Sequence, residues 1–234
     1  MSTFNPNFIE PSNLYKINLN SKNFEDTINS LIKEYPVTEI IETGTFNGLG
    51  STSVFARTGL PVFSMDSCLS HHNQAKVNLA SSSNVKLYFA SSLPYKEMVE
   101  FIQKDDIYTS EEVRTRKITV DVWQDIDTDS SKRFYINEVG GFTDTQPQKE
   151  NLLMELIDND KKQLVFLDSA GGVGFLEFKK FMSLSQDRIK NKVLVLDDVS
   201  HVKHYRSVVF LKQNNYIILE SQPETCDYLM IYNK

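Results

Sequence analysis

Residues 37–66 constrain this chain more than any other stretch. A short apolar run at 39–41 leads into Glu42 and then a glycine-punctuated turn from Gly44 to Gly50. Ser51–Arg57 reads as the opening of a helix, and residues 62–65 as a second strand that ends on Asp66. Strand, glycine-rich loop, helix and acid-tipped strand make the first half of a nucleotide-binding βαβ unit. Glycine lets a backbone turn sharply and approach a ligand that a Cβ would fend off. A carboxylate about 20 residues past the first strand is placed to accept from a ribose diol.

The rest of the chain extends that unit. Strands are expected at 85–89, 164–167 and 193–196, each separated by a helical pattern, with helices starting near Asn23, Ser70, Pro94, Lys149 and Tyr205. Two closing strands, 216–220 and 228–232, flank a loop with Pro223 and must run antiparallel to each other. The expected fold is α/β: a Rossmann-like, doubly wound, seven-stranded, mostly parallel sheet with an antiparallel C-terminal hairpin. A length of 234 residues suits one domain, 1–234, with a polar extension at 1–20. Residues at about 104–148 differ in texture, with charge clusters, Trp123 and a Gly140-Gly141 break. They read as an insertion holding short strands near 118–122 and 134–136. It is either a lid over the ligand or a solvated excursion or oligomer contact.

Composition narrows the partners. With 40% hydrophobic and 24% charged residues the chain is of globular type, and a net charge of −6 argues against a nucleic-acid surface. No apolar run is long enough to span a membrane. Cys68 and Cys226 form neither a redox pair nor a metal-binding cluster, and no secretory signal is visible, so a cytoplasmic location is expected. His71-His72 reads as exposed, and Phe46, Trp123, Phe142 and Tyr205 are aromatic candidates for a pocket wall.

Spacing decides which nucleotide. A dinucleotide site needs G-x-G-x-x-G, but Phe46 and Leu49 stand at the second and third glycine positions. A phosphate-cradling loop needs Gly-Lys-Ser/Thr, which is absent. What remains is Glu42-x-Gly44-x-x-x-Gly48-x-x-Ser51. This resembles motif I of the class I S-adenosylmethionine (SAM) methyltransferases, in the form found in small-molecule and sugar O-methyltransferases. The resemblance implies that Glu42, Gly44, Thr45, Phe46, Gly48, Ser51, Asp66, Ser91 and Asp168 surround the cofactor, with Asp66 on its ribose. The terminal hairpin is a feature of the same family.

Acids gather at the expected carboxyl ends of the strands: Glu42, Asp66, Asp168, Asp197 and Asp198. So many charges after apolar strands are costly unless cations, protons or donors meet them. Three carboxylates on neighbouring strands suit Mg²⁺. Asp168 with Asp197-Asp198 resembles the metal triad of catechol-type and macrocin-type O-methyltransferases, where a divalent cation holds the acceptor oxygens. Helix capping by Asp197 or Asp198 is the plainer alternative. Many relatives carry a histidine shortly after the strand-4 acid, whereas this chain has Asp168-Ser169-Ala170-Gly171. His201 or His204 could serve as base instead, or both could be surface residues. The resemblance therefore implies methyl transfer to a hydroxyl of a small polar acceptor such as a sugar or glycan precursor. Asp168 and His201 are the catalytic candidates, Asp168, Asp197 and Asp198 the Mg²⁺ ligands, and a homodimer the assembly. The competing expectation is a catalytically inactive fold of the same type that acts as a scaffold subunit.

Overall fold

The computed structural model describes residues 22–121, 128–140, 147–189, 191–214, 217–222 and 226–232. The expected extension 1–20 lies outside them, as do Trp123 and Phe142. Five parallel strands form the centre of one sheet: β1 (Glu39–Thr43), β2 (Val62–Asp66), β3 (Val85–Phe89), β4 (Gln163–Leu167) and β5 (Lys192–Leu196). β6 (Ile217–Gln222) and β7 (Cys226–Tyr232) complete the order β3-β2-β1-β4-β5-β7-β6, with β7 antiparallel to both of its neighbours. The helices are α1 (Lys22–Glu34), α2 (Ser51–Arg57), α3 (Leu69–Asn78), α4 (Tyr95–Lys104), α5 (Glu111–Arg114) and α6 (Thr128–Val139), then α7 (Leu152–Leu156), α8 (Gly174–Met182), α9 (Gln186–Ile189) and α10 (Tyr205–Gln213).

Strands β1, β4 and β5 are buried at every position, as expected for parallel strands covered on both faces. The side-chain period of two sorts their residues into two cores. Ile40, Leu164, Phe166, Val193 and Val195 face α1 and α2, where Phe24, Phe55 and Phe166 meet with ring centroids 5.4–6.0 Å apart. Ile41, Val165, Leu167, Leu194 and Leu196 face Phe178, Phe181 and Leu211 on the other side.

The described residues of the insertion are packed against the main body. They build a third core in which Ile107, Tyr108, Ile118 and Tyr135 pack on Val173 and Val202 of the main body. Residues 134–136, expected as strand, lie within α6. Tyr135 and Val139, four residues apart, face that core, and three residues are too few to separate the two periods. The 118–122 expectation survives as a single parallel bridge, Thr119 to His201. Arg206 on α10 ties the insertion down through a bidentate pair with the buried Asp105, at 2.7 and 2.5 Å.

Candidate active site

The sheet order reverses between β1 and β4, and ligands of open α/β sheets bind outside the strands' carboxyl ends at such a switch point. A cleft of about 890 Å³ lies there, within the usual range of ligand sites. The turn after β1, the end of β2, the segments after β4 and β5, and Asp121 and Glu138 of the insertion all line it.

The turn after β1 is fixed by backbone geometry. Gly44 has φ +87°, and a Cβ there would lie 2.1 Å from the Asp168 carbonyl oxygen. Only glycine lets the β1 loop close on the β4 loop. Both Gly44 N–H and Thr45 N–H donate to the Met65 carbonyl, at 2.9 and 3.1 Å. Gly48, at φ +78°, sits against Leu79 and Ala75 of the α3 region and does not line the cleft. Phe46 holds φ +50°, unusual for a bulky residue. Its N–H donates to Asp66 Oδ2 at 2.8 Å, and its ring meets the His71 imidazole edge-on at 4.5 Å.

Glu42 is fully buried beneath this turn and is not on the cleft wall. It accepts hydrogen bonds from Ser51, Thr52 and Ser64 hydroxyls. Burial pushes its carboxyl up to about 7 against the pull of those donors. Its place is therefore structural: it ties β1, β2 and the start of α2 together under the loop. Ser51 lines the cleft while spending its hydroxyl on Glu42. Thr45 does likewise with Ser64, at 2.5 Å.

Asp66 reaches the cleft with both oxygens anchored by backbone N–H groups, Phe46 to Oδ2 and Cys68 to Oδ1 (2.7 Å). His71 Nδ1 lies 3.5 Å from Oδ1, and this contact lifts the imidazole above its ordinary range. The expectation of an exposed His71-His72 pair is corrected. His71 lines the cleft, and His72 is buried near the Phe89 ring. Ser91 is buried on the cleft wall and donates to the Leu93 carbonyl at 2.8 Å. Tyr205 packs against the insertion core, away from the cleft.

Asp168, Asp197 and Asp198 converge, with one oxygen from each within 4.8 Å of the others. Neither of the latter two caps a helix: α10 begins at Tyr205 after His204, with no side-chain cap. Asp198 sits at φ +54°, a conformation aspartate tolerates better than most residues. Among the three carboxylates stands Lys203. Its ammonium is 2.5 Å from Asp168, 3.0 Å from Asp198 and 3.9 Å from Asp197, on a side chain only 4% exposed. Gly174 makes room for it, since a Cβ there would meet the Lys203 stem at 2.5 Å.

The cluster's charges divide accordingly. Burial raises Asp168, with Lys203 pulling the other way. Burial and the charges of Asp168 and Asp198 drive Asp197 well up. Against burial, the Lys203 charge keeps Asp198 below the usual carboxylate range. The three acids drive Lys203 well above its ordinary value despite burial. A metal does not fit this arrangement. One oxygen each of Asp168 and Asp198 already holds an ammonium, which a divalent ion would have to displace or face at close range.

The two histidines are buried, not on the surface. His204 bonds to Ser207 Oγ and the Leu167 carbonyl, each at 3.2 Å, and burial pulls it down to about 3. It is a neutral core residue. His201 lines the cleft, but both of its ring nitrogens are engaged. Nδ1 accepts from Lys203 N–H at 3.3 Å, while Nε2 lies 3.3 Å from Asp121 Oδ2 and 3.3 Å from Tyr135 Oη. That pattern fixes the Nε2–H tautomer and leaves no ring nitrogen open to a substrate proton, so the expectation of His201 as base is corrected. Burial pulls His201 down, but Asp121 outweighs it and the imidazole ends above its ordinary range.

Glu138, from α6, projects into the cleft and accepts from Gly171 N–H at 3.2 Å. Burial, reinforced by Asp121, pushes its carboxyl up to about 7. Sequence reasoning missed Glu138, Asp121, His71 and Lys203. The first two lie in an insertion that matches no motif. For Lys203 a signal existed: three acids placed at one point need a cation, and Lys203 is the first lysine or arginine after β5.

This is the fold of the class I SAM-dependent O-methyltransferases. The O-methyltransferase from Bacillus cereus in complex with S-adenosylhomocysteine (SAH) superposes with a TM-score of 0.51 at 14% identity, over 95% of this chain and 86% of that one. A Staphylococcus aureus protein described as a caffeoyl-CoA O-methyltransferase gives 0.47 at 15% identity, over 91% and 84%. A Klebsiella pneumoniae protein described as an O-methyltransferase gives 0.46 at 12%, over 92% and 81%. No family model matches the chain, and no curated protein matches it in sequence.

Proposed function

We propose that this chain is a SAM-dependent methyltransferase that methylates a hydroxyl of a small polar acceptor. The seven-stranded sheet with its antiparallel end reads as the full methyltransferase sheet, and the insertion as the acceptor-side wall. One observation carries the reading. The Gly44 turn and the backbone-anchored Asp66 line one cleft, and Glu138 lines the same cleft.

Asp66 would accept from the ribose hydroxyls, and Phe46, Thr45, Ser91 and the backbone around Gly44 would line the cofactor. Glu42 and Gly48 would act from behind, by holding the loop. Bound SAM supplies an activated methyl group on a sulfonium centre. The protein's share is to bring the acceptor oxygen into line and to take its proton. Glu138 is the group placed for that proton: it lines the cleft and titrates near neutrality. His201 fixes Asp121 and Tyr135 beside it, and Asp168 holds Lys203.

Among the described residues five acids line the cleft, Asp66, Asp121, Glu138, Asp168 and Asp198, against Lys203 and two histidines. That balance favours a neutral polyhydroxy acceptor, such as an unphosphorylated sugar, over a phosphorylated one. Incubation with radiolabelled SAM and panels of neutral and phosphorylated sugars tests the reading. Label transfer to neutral hydroxyls is expected. SAH binding with no transfer to any acceptor would favour the scaffold reading.

A further inference from the structure

We propose that Lys203 supplies from within the chain the positive charge that holds the acceptor oxygen, and that the Asp168–Asp197–Asp198 cluster takes no divalent cation. The positioning role rests on the methyl-transfer reading; the metal statement stands apart from it.

Three observations support the assignment. The Lys203 ammonium lies within hydrogen-bond reach of Asp168 and Asp198, and close to Asp197, so it already offsets part of the charge that would recruit a metal. Its place is built in. Gly174 clears a path for the stem, and the Lys203 backbone N–H is held by His201 Nδ1. Finally, an ammonium has three N–H groups, and among the described residues two have carboxylate acceptors at 2.5 and 3.0 Å. Lys203 is also among the residues that line the cleft, and the third N–H is the one assigned to an acceptor oxygen there. A lysine can orient a hydroxyl and stabilise its developing negative charge, as a metal would, without an exchangeable ion.

The test is titration of purified, EDTA-treated protein with Mn²⁺, followed by electron paramagnetic resonance of the free ion and by thermal melts. Wild type is expected to leave the Mn²⁺ signal and the Tm unchanged at about 1 mM ion. Lys203→Ala, which leaves three carboxylates facing one another, is expected to take up Mn²⁺ and to melt several degrees higher with it. Stoichiometric uptake by wild type would overturn the proposal, and so would a folded Lys203→Ala variant that ignores the ion. If that variant does not fold, the wild-type titration decides alone. Once an acceptor is in hand, Lys203→Ala should raise its KM by about tenfold to a hundredfold while leaving that of SAM in place. Equal changes in both would refute the positioning role. SAH titration of the same samples separates the two readings: lost SAH binding counts against methyl transfer, and Mn²⁺ uptake with SAH binding intact counts against Lys203 alone.

Discussion

Single residues carry most of the electrostatics. Glu42, Glu138 and Glu177 are all pushed from about 4.5 to about 7, chiefly by burial. A carboxyl whose folded value is raised binds its proton more tightly in the folded state. Stability therefore falls as pH rises from 4.5 through 7 and is greater on the acid side of that window. Melting temperature is expected to rise between pH 8 and pH 6. Glu42→Gln should fold and lessen that slope by at most about 1.4 kcal/mol per pH unit; an unchanged slope would contradict the Glu42 account. Glu138→Gln should lower kcat by about a hundredfold or more and abolish the rise of rate with pH through about 7, with SAH affinity retained. Gly44→Ala meets both a positive φ and the Asp168 backbone, so it should cost more than about 2 kcal/mol in urea unfolding. Its loss of SAH binding would then reflect the fold as much as the site. At this scale the sequence showed which acids would gather but not how they would be satisfied. Glu42 and Asp66 both end strands in the sequence, yet one is sealed under the loop and the other faces the cleft. Which way a side chain points at a strand's end depends on register, and register is not written locally.

Among the elements, the five parallel strands were legible because a buried parallel strand is a short apolar run bounded by turn residues. The insertion was not. Its helix α6 is amphipathic only against a core assembled from α4, α8 and the loop after β5, so its partners are distant in sequence. Arg206 and Asp105 tie that core together across 101 positions of sequence. Asp105→Ala should leave the guanidinium partly buried and unpaired, at a cost of about 3 kcal/mol. Urea unfolding measures the loss, and limited proteolysis should place the first new cuts within 105–121. Cuts elsewhere would show that the pair does not hold the insertion.

For the whole molecule, strand order brings the cleft-lining candidates together. The reversal between β1 and β4 brings the Gly44 turn against Asp168 and opens the cleft above it, and the insertion closes one side with Asp121 and Glu138. The half of the cleft proposed for the cofactor was legible because a glycine spacing and a strand-tip acid are local signals. The half proposed for the acceptor depends on the insertion's packing and on Lys203, which are tertiary. The central claim is that this cleft binds SAM, and calorimetric titration of the full chain with SAH, without added metal, tests it most directly. Stoichiometric binding is expected, with Kd in the range of about 1–100 μM that EDTA does not alter, and with weakening of at least tenfold in Asp66→Ala as an anchored charge-assisted contact is lost. Absence of binding by well-folded wild-type protein, or equal affinity in Asp66→Ala, would contradict it.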